Sequence, residues 1–131
     1  MDNHKKDLQK LTIMVTQIGK AIEEQIDRDN PDELTGKLQE LASLQSTASW
    51  SLAMAKQLYN TKIASLLISD FHKSYTATDR KSIFLELAKE ELFILNLVER
   101  YVANISHSIE SIRSILSYKK LEFEQSKYQT T

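Results

Sequence analysis

Three groupings in this 131-residue chain have side chains and spacing that invite chemistry: its histidines, an acidic turn, and a basic, tyrosine-bearing C-terminal end. The histidines are His4, His72 and His107. A di-iron helical bundle requires Glu-x-x-His pairs, so that both ligands project inward from one helix face. No Glu here is followed by His three positions later, and His107 and Glu110 stand in the reverse order beside an apolar stripe. We read His107 as a solvated or core-edge residue, with no metal ligands and no cofactor. The acidic turn comprises Glu23, Glu24, Asp27, Asp29, Asp32 and Glu33. Counted from Asp27, a calcium loop needs Gly at the sixth position and Glu at the twelfth. Asp32 and Leu38 stand there instead. Pairing of this turn with Arg113, Lys119 and Lys120 across a folded-back chain is the better expectation, and each exposed pair contributes little.

Catalytic signatures are lacking. Without cysteine there is no disulfide, zinc-thiolate site or thiol nucleophile. Gly19 and Gly36 stand alone in helical sequence, so no glycine loop cradles phosphate. Serine is abundant, but no nucleophile elbow surrounds any of it. The expectation is a protein that is not an enzyme and has no catalytic residues. The candidate ligand site is the basic end: Arg113, Tyr118, Lys119, Lys120 and Lys127, with Tyr128 beside them. Basic side chains interleaved with tyrosines hold phosphates and stack bases, which would suit a nucleotide or nucleic acid. Cations at a helix C-terminus also complement its dipole, and that structural role is the preferred reading. Lys5, Lys6 and Lys10 form a second, smaller basic cluster.

Composition bounds the elements that position these groups. Hydrophobic residues make up 41% and charged residues 27%, enough for a core and a solvated surface. With only two Gly and one Pro, turns are few, so the elements must be few and long. Seventeen basic and eighteen acidic side chains nearly cancel, so no strong global pull toward nucleic acid or anionic lipid is expected. No apolar run approaches the roughly 20 residues that span a bilayer. The first residues, MDNHKK, lack the apolar centre of a signal peptide. A cytoplasmic location is the expectation.

The pattern predicts one all-α domain over residues 1–131, an elongated antiparallel bundle of three long coiled-coil-like helices. The first covers residues 3–29, with Leu8, Leu11, Val15, Ile18, Ile22 and Ile26 as its stripe. Asn30 as N-cap, Pro31 at the first helical position and then Asp32 and Glu33 open the second, over 31–70. Leu38, Gln45, Leu52, Tyr59 and Leu66 recur there every seven residues, with Leu34, Leu41, Ala48 and Ala55 between them. Small side chains fill residues 42–55, with Trp50 and Met54 as the bulky exceptions. A turn over 71–78 is capped by Thr76 or Thr78.

The third helix, over 78–127, contains no Gly or Pro. It would be about 75 Å long at 1.5 Å per residue. Its two adjacent stripes make a face wider than a two-stranded seam, so it should touch at least two neighbours. Folding back places Trp50 near Leu11 and Val98. The first helix is too short to cover the start of the third, so Ile83, Phe84 and Leu87 should lie exposed and form an interface. Homo-oligomerisation is therefore expected.

Two stretches, ASWSLAMAKQLYNTKIASLL (48–67) and HSIESIRSILSYKKLEFE (107–124), together about a third of the chain, resemble small all-helical proteins encoded by phages and prophages. The second carries their terminal pattern on Ile109, Ile112, Arg113, Ser114, Leu116, Ser117, Tyr118 and Lys120. The resemblance implies a phage accessory protein for recombination, assembly or counter-defence, acting on a protein partner in the host cytoplasm. It supplies no catalytic residues.

Overall fold

The computed structural model describes residues 2–129 and is all-helical, with no strand among them. Helix α1 (Asp2–Glu23) is followed by α2 (Pro31–Ile68), a short 3-10 helix η1 (Asp70–Ser74), α3 (Ala77–Leu87) and α4 (Lys89–Gln129). Among the described residues the packed α-helices number four, not three, because the last long segment divides at Ala88. α1 and α4 run parallel: His4 meets Glu91 at one end, and Asp29, just past α1, approaches Lys119 at the other. α2 runs antiparallel between them.

Two apolar clusters share this core. Leu11, Val15, Ala55, Leu58, Ile94 and Val98 fill one half. Ile18, Leu34, Leu41, Ala48, Ile105, Ile109 and Ile112 fill the other. Each large aliphatic side chain so buried contributes about 1.5–3 kcal/mol. On α2 the central series is thus Leu34, Leu41, Ala48 and Ala55, while Leu38, Leu52, Tyr59 and Leu66 flank it and Gln45 is exposed. The small-residue stretch faces inward through Ala48, Ser51 and Ala55, all but completely buried. Ser51 satisfies its hydroxyl by donating to the Thr47 carbonyl at 2.8 Å. Trp50, expected against Leu11 and Val98, instead points outward and is 52% exposed, because Ser51 takes the inward position.

Helix α1 stops at Glu23, six residues short of the expected Asp29. Competing polar partners explain the early end. The buried Lys37 ammonium donates to the Ala21 carbonyl, one of the orphan acceptors of a helix C-terminus. Glu33 accepts from the Asp27 backbone amide at 2.7 Å, and Asp27 accepts from that of Asp29 at 3.0 Å. Asn30 caps α2 by accepting from Asp32 and Glu33, as expected. Ile26, though outside the helix, still packs on the core.

The second departure is the break at Ala88, whose φ of −106° and ψ of 18° leave the helical region. No Gly or Pro marks it. Ala88 is fully buried, and the hydrogen bonds Ala88 N–H to Phe84 and Leu92 N–H to Ala88 keep the chain nearly continuous across it. The Glu86 carboxylate, 2.8 Å from the Lys89 ammonium, spans the break and raises that lysine's pKa. The change of direction lets Phe84 meet Phe71 and His72 edge-on, at centroid distances of 6.3 and 5.4 Å. Thr76, one of two expected caps, accepts from Asp79 N–H at 3.2 Å.

The two glycines make a matched test of this packing. A Cβ at Gly19 would lie 2.5 Å from the Tyr101 hydroxyl oxygen, whereas one at Gly36 would meet nothing within 4 Å. Gly36→Ala should therefore stabilise by about 0.5–1 kcal/mol through helix propensity. Gly19→Ala should destabilise by about 1–3 kcal/mol through overpacking, and Tyr101→Phe in that background should restore part of it. Urea denaturation measures all three; equal gains at both glycines would contradict the close contact.

Candidate functional site

Both ends of the bundle carry an open surface, because α1 is 22 residues long against 38 for α2 and 41 for α4. At the α1–α2 turn, a cleft of about 600 Å³ lies between residues 22–28, the start of α2 and the second half of α4. Its floor is apolar, with Ile22, Ile26, Leu34, Leu41, Ile112 and Ile115. Its polar lining comprises Glu23, Glu24, Gln25, Arg28, Lys37, His107 and two serines. Lys37 is the unusual member, with a side chain only 5% exposed. Besides the Ala21 carbonyl, it lies 3.6 Å from Glu24 and 3.5 Å from Glu40. Its charge is thus already matched, and its methylene stem lines the cleft. The sequence reading passed over Lys37, and the only available signal was a lysine three residues from Leu34 and four from Leu41, on the apolar face.

None of the basic residues proposed from sequence lines this cleft, and they do not converge. Arg113, Lys120 and Lys127 are seven apart and share one face of α4, whereas Tyr118 is about 140° around the helix from Arg113. Glu124 lies between Lys120 and Lys127 on that shared face, at the spacing of helix-surface ion pairs. Lys119 turns to Asp29 at 3.9 Å. The expected approach of the acidic turn to the basic end therefore occurs through that pair. Two carboxylates of the turn, those of Asp27 and Glu33, accept from backbone amides instead.

The histidines occupy three separate settings. His4 donates through Nε2 to the buried Glu91 carboxylate at 3.0 Å. His72 is buried, donates through Nε2 to the Leu67 carbonyl at 2.9 Å, and leaves Nδ1 without a hydrogen-bond partner among the described residues. His107 is exposed on the cleft rim. Among the described residues no three His, Asp or Glu side chains gather as metal ligands.

At the opposite end, the expected apolar surface is only partly open. Ile83 and Phe84 are half-buried, because the break at Ala88 and the aromatic stack on η1 cover them; Leu87 is 47% exposed. What opens instead is a groove of about 380 Å³ between α2 and α3. Tyr59, Ile63 and Leu67 form one wall, at helical spacing of four. Ala77, Arg80, Lys81, Phe84 and Leu85 form the other. The α2 wall was missed from sequence because Tyr59 was assigned to the core-facing repeat, and nothing in composition announced that α3 turns away from α4.

No protein-family model, curated protein or solved structure matches this chain. No helix among the described residues is long and apolar enough to cross a membrane.

Lys37 provides the test of the cleft's architecture. Lys37→Ala removes the donor to Ala21 and the buried stem, and should destabilise by about 2 kcal/mol. Lys37→Met keeps the stem and should recover about half of that. Hydrogen exchange at the end of α1 should accelerate in both variants, and unchanged protection there would mean that Lys37 does not set the helix end.

Proposed function

We propose that this chain is a non-enzymatic accessory protein that works by binding, as a homo-oligomer whose coiled-coil-like bundles engage a protein partner. The observation that carries the reading is the amount and kind of surface left open. The chain exposes 9498 Å². A compact monomer of 15.1 kDa would expose about 7,100 Å². A rod exposes more than a sphere, but here the open area includes large apolar side chains at both ends. Leu67, Ile68, Phe71, Leu87 and Phe93 lie at the α2–α3 end. Tyr118, Leu121, Phe123 and Tyr128 lie at the end of α4. Surface of this kind is characteristic of interaction sites. The resemblance to phage-encoded helical proteins supports the accessory role, and within it an inhibitor used in counter-defence.

A second reading, binding of nucleic acid or a nucleotide in phage recombination, draws on Arg113, Lys120 and Lys127 sharing one face of α4. It ranks lower because Lys119 points toward Asp29 at 3.9 Å, Tyr118 lies on another face and Glu124 interrupts the cations.

Light scattering over a wide concentration range should give a mass of several chains that persists to about micromolar concentration, the range expected of a stable interface. A monomer throughout would remove the assembly on which the reading rests. Titration with a labelled oligonucleotide separates the two readings. The binding-protein reading expects no salt-sensitive complex, whereas a complex lost in Lys119→Glu/Lys120→Glu would favour the second.

A further inference from the structure

We propose that the groove between α2 and α3 docks an acidic amphipathic helix carried by a different protein. The inference rests on the protein-binding reading above and names the kind of partner.

Charge selects the occupant. None of the residues lining the groove is acidic, and two of them, Arg80 and Lys81, are cations. The only carboxylates on α3 are those of Asp79 and Glu86. They lie about 140–180° around the helix from Ala77 and Lys81, which line the groove. Glu86 is also paired with Lys89. On the α2 side the chain has no acidic residue between Glu40 and Asp70. Exposed Lys56 stands seven residues before Ile63, on the same side of α2, and extends the basic charge along that wall. This one-sided distribution occurs in a chain whose net charge is −1. Among the described residues Lys56, Arg80 and Lys81 form no ion pair.

One cation is already positioned for a carboxylate. Arg80 is half-buried, and its Nε donates to the Tyr75 carbonyl at 3.2 Å. That bond fixes the guanidinium and leaves its terminal nitrogens for an incoming acceptor. A donor held in place beforehand loses less freedom when its ligand arrives.

Shape selects a helix. The α2 wall from Tyr59 to Leu67 covers two turns, about 12 Å. Leu67 and Leu85, on opposite walls, are 54% and 40% exposed, so apolar surface remains to be covered. A short, two-walled apolar groove with a basic rim suits a helix with an apolar stripe flanked by carboxylates. Nucleic acid fits less well. Ile63, Leu67 and Leu85 offer no stacking platform, and the Phe84 ring is already edge-on to Phe71 and His72. The exposed end of α4, residues 120–128, balances two lysines against two glutamates and does not supply the required charge.

Two fluorescent peptides of about 18 residues, long enough to form helix, test the groove. One has leucines at helical spacing flanked by glutamates; the other has lysine in place of each glutamate. Fluorescence anisotropy with the full chain should give a Kd of roughly 1–100 μM for the acidic peptide, as suits a small contact. The lysine peptide should bind at least roughly tenfold more weakly. Arg80→Glu/Lys81→Glu should reverse that preference, a result that general loss of structure would not give. Leu67→Ser/Leu85→Ser should weaken binding of the acidic peptide. Arg113→Glu/Lys120→Glu, the same charge change at the other end of the bundle, should leave it unaltered. Circular dichroism checks the helix content of each variant.

No binding of the acidic peptide at about 1 mM, or binding indifferent to the rim variant, would overturn the inference. So would phosphatidylserine vesicles or a labelled oligonucleotide held through Arg80 and Lys81 in the absence of peptide binding. An oligomer that dissociates in the rim variant would overturn it in favour of a second copy as occupant. Light scattering separates the inference from the assembly proposed above. An oligomeric wild type that ignores the acidic peptide overturns the inference alone, whereas a monomer that binds it supports the inference and removes the assembly.

Discussion

The inequality of helix length governs this molecule. α1 spans 22 residues and its partners 38 and 41, and it starts level with α4, where His4 meets Glu91, so it covers only part of the groove they form. Along that part the packing is complete, with Val15 and Ile18 buried with Ala48, Ala55 and the α4 stripe. The cleft past the end of α1 and the exposed end of α4 follow from this, whereas the groove between α2 and α3 depends on the break at Ala88.

The chain treats its two ends differently. At the α1–α2 turn it uses polar chemistry: a buried lysine takes a helix-terminal carbonyl, and carboxylates take backbone amides. At the other end it uses aromatic packing, with Phe71, His72 and Phe84 stacking edge-on to hold η1 and α3 together. The buried Glu91 is matched by His4 from the start of α1, so the one strongly buried carboxylate among the described residues has its partner. Lys37 and Glu91 are each buried beside groups that satisfy them, as the expense of desolvation requires, whereas buried His72 satisfies only its Nε2.

Much of the fold is legible in the residues. The α1 stripe, the Asn30-Pro31 start of α2, the Thr76 cap and the two-neighbour face of α4 all follow from side-chain period and capping chemistry. The unreadable parts are those decided by contacts distant in sequence. Lys37 shortens α1 from sixteen residues away, and Ala88 leaves the helix without the Gly or Pro that usually signals a break. Trp50 faces outward because a serine, not the largest apolar residue, fits the narrow space between helices. The basic end was visible as composition, but the angular positions of its members around α4 separate them. The groove was invisible because half of it depends on that break.

Helix α3 has a further consequence. It buries no residue of its own and rests on the bundle through Phe84 and the short helix before it. It is therefore a separate cooperative unit of low local stability, able to open while the three long helices stay packed. The wall of the groove that it supplies is therefore held by few buried contacts.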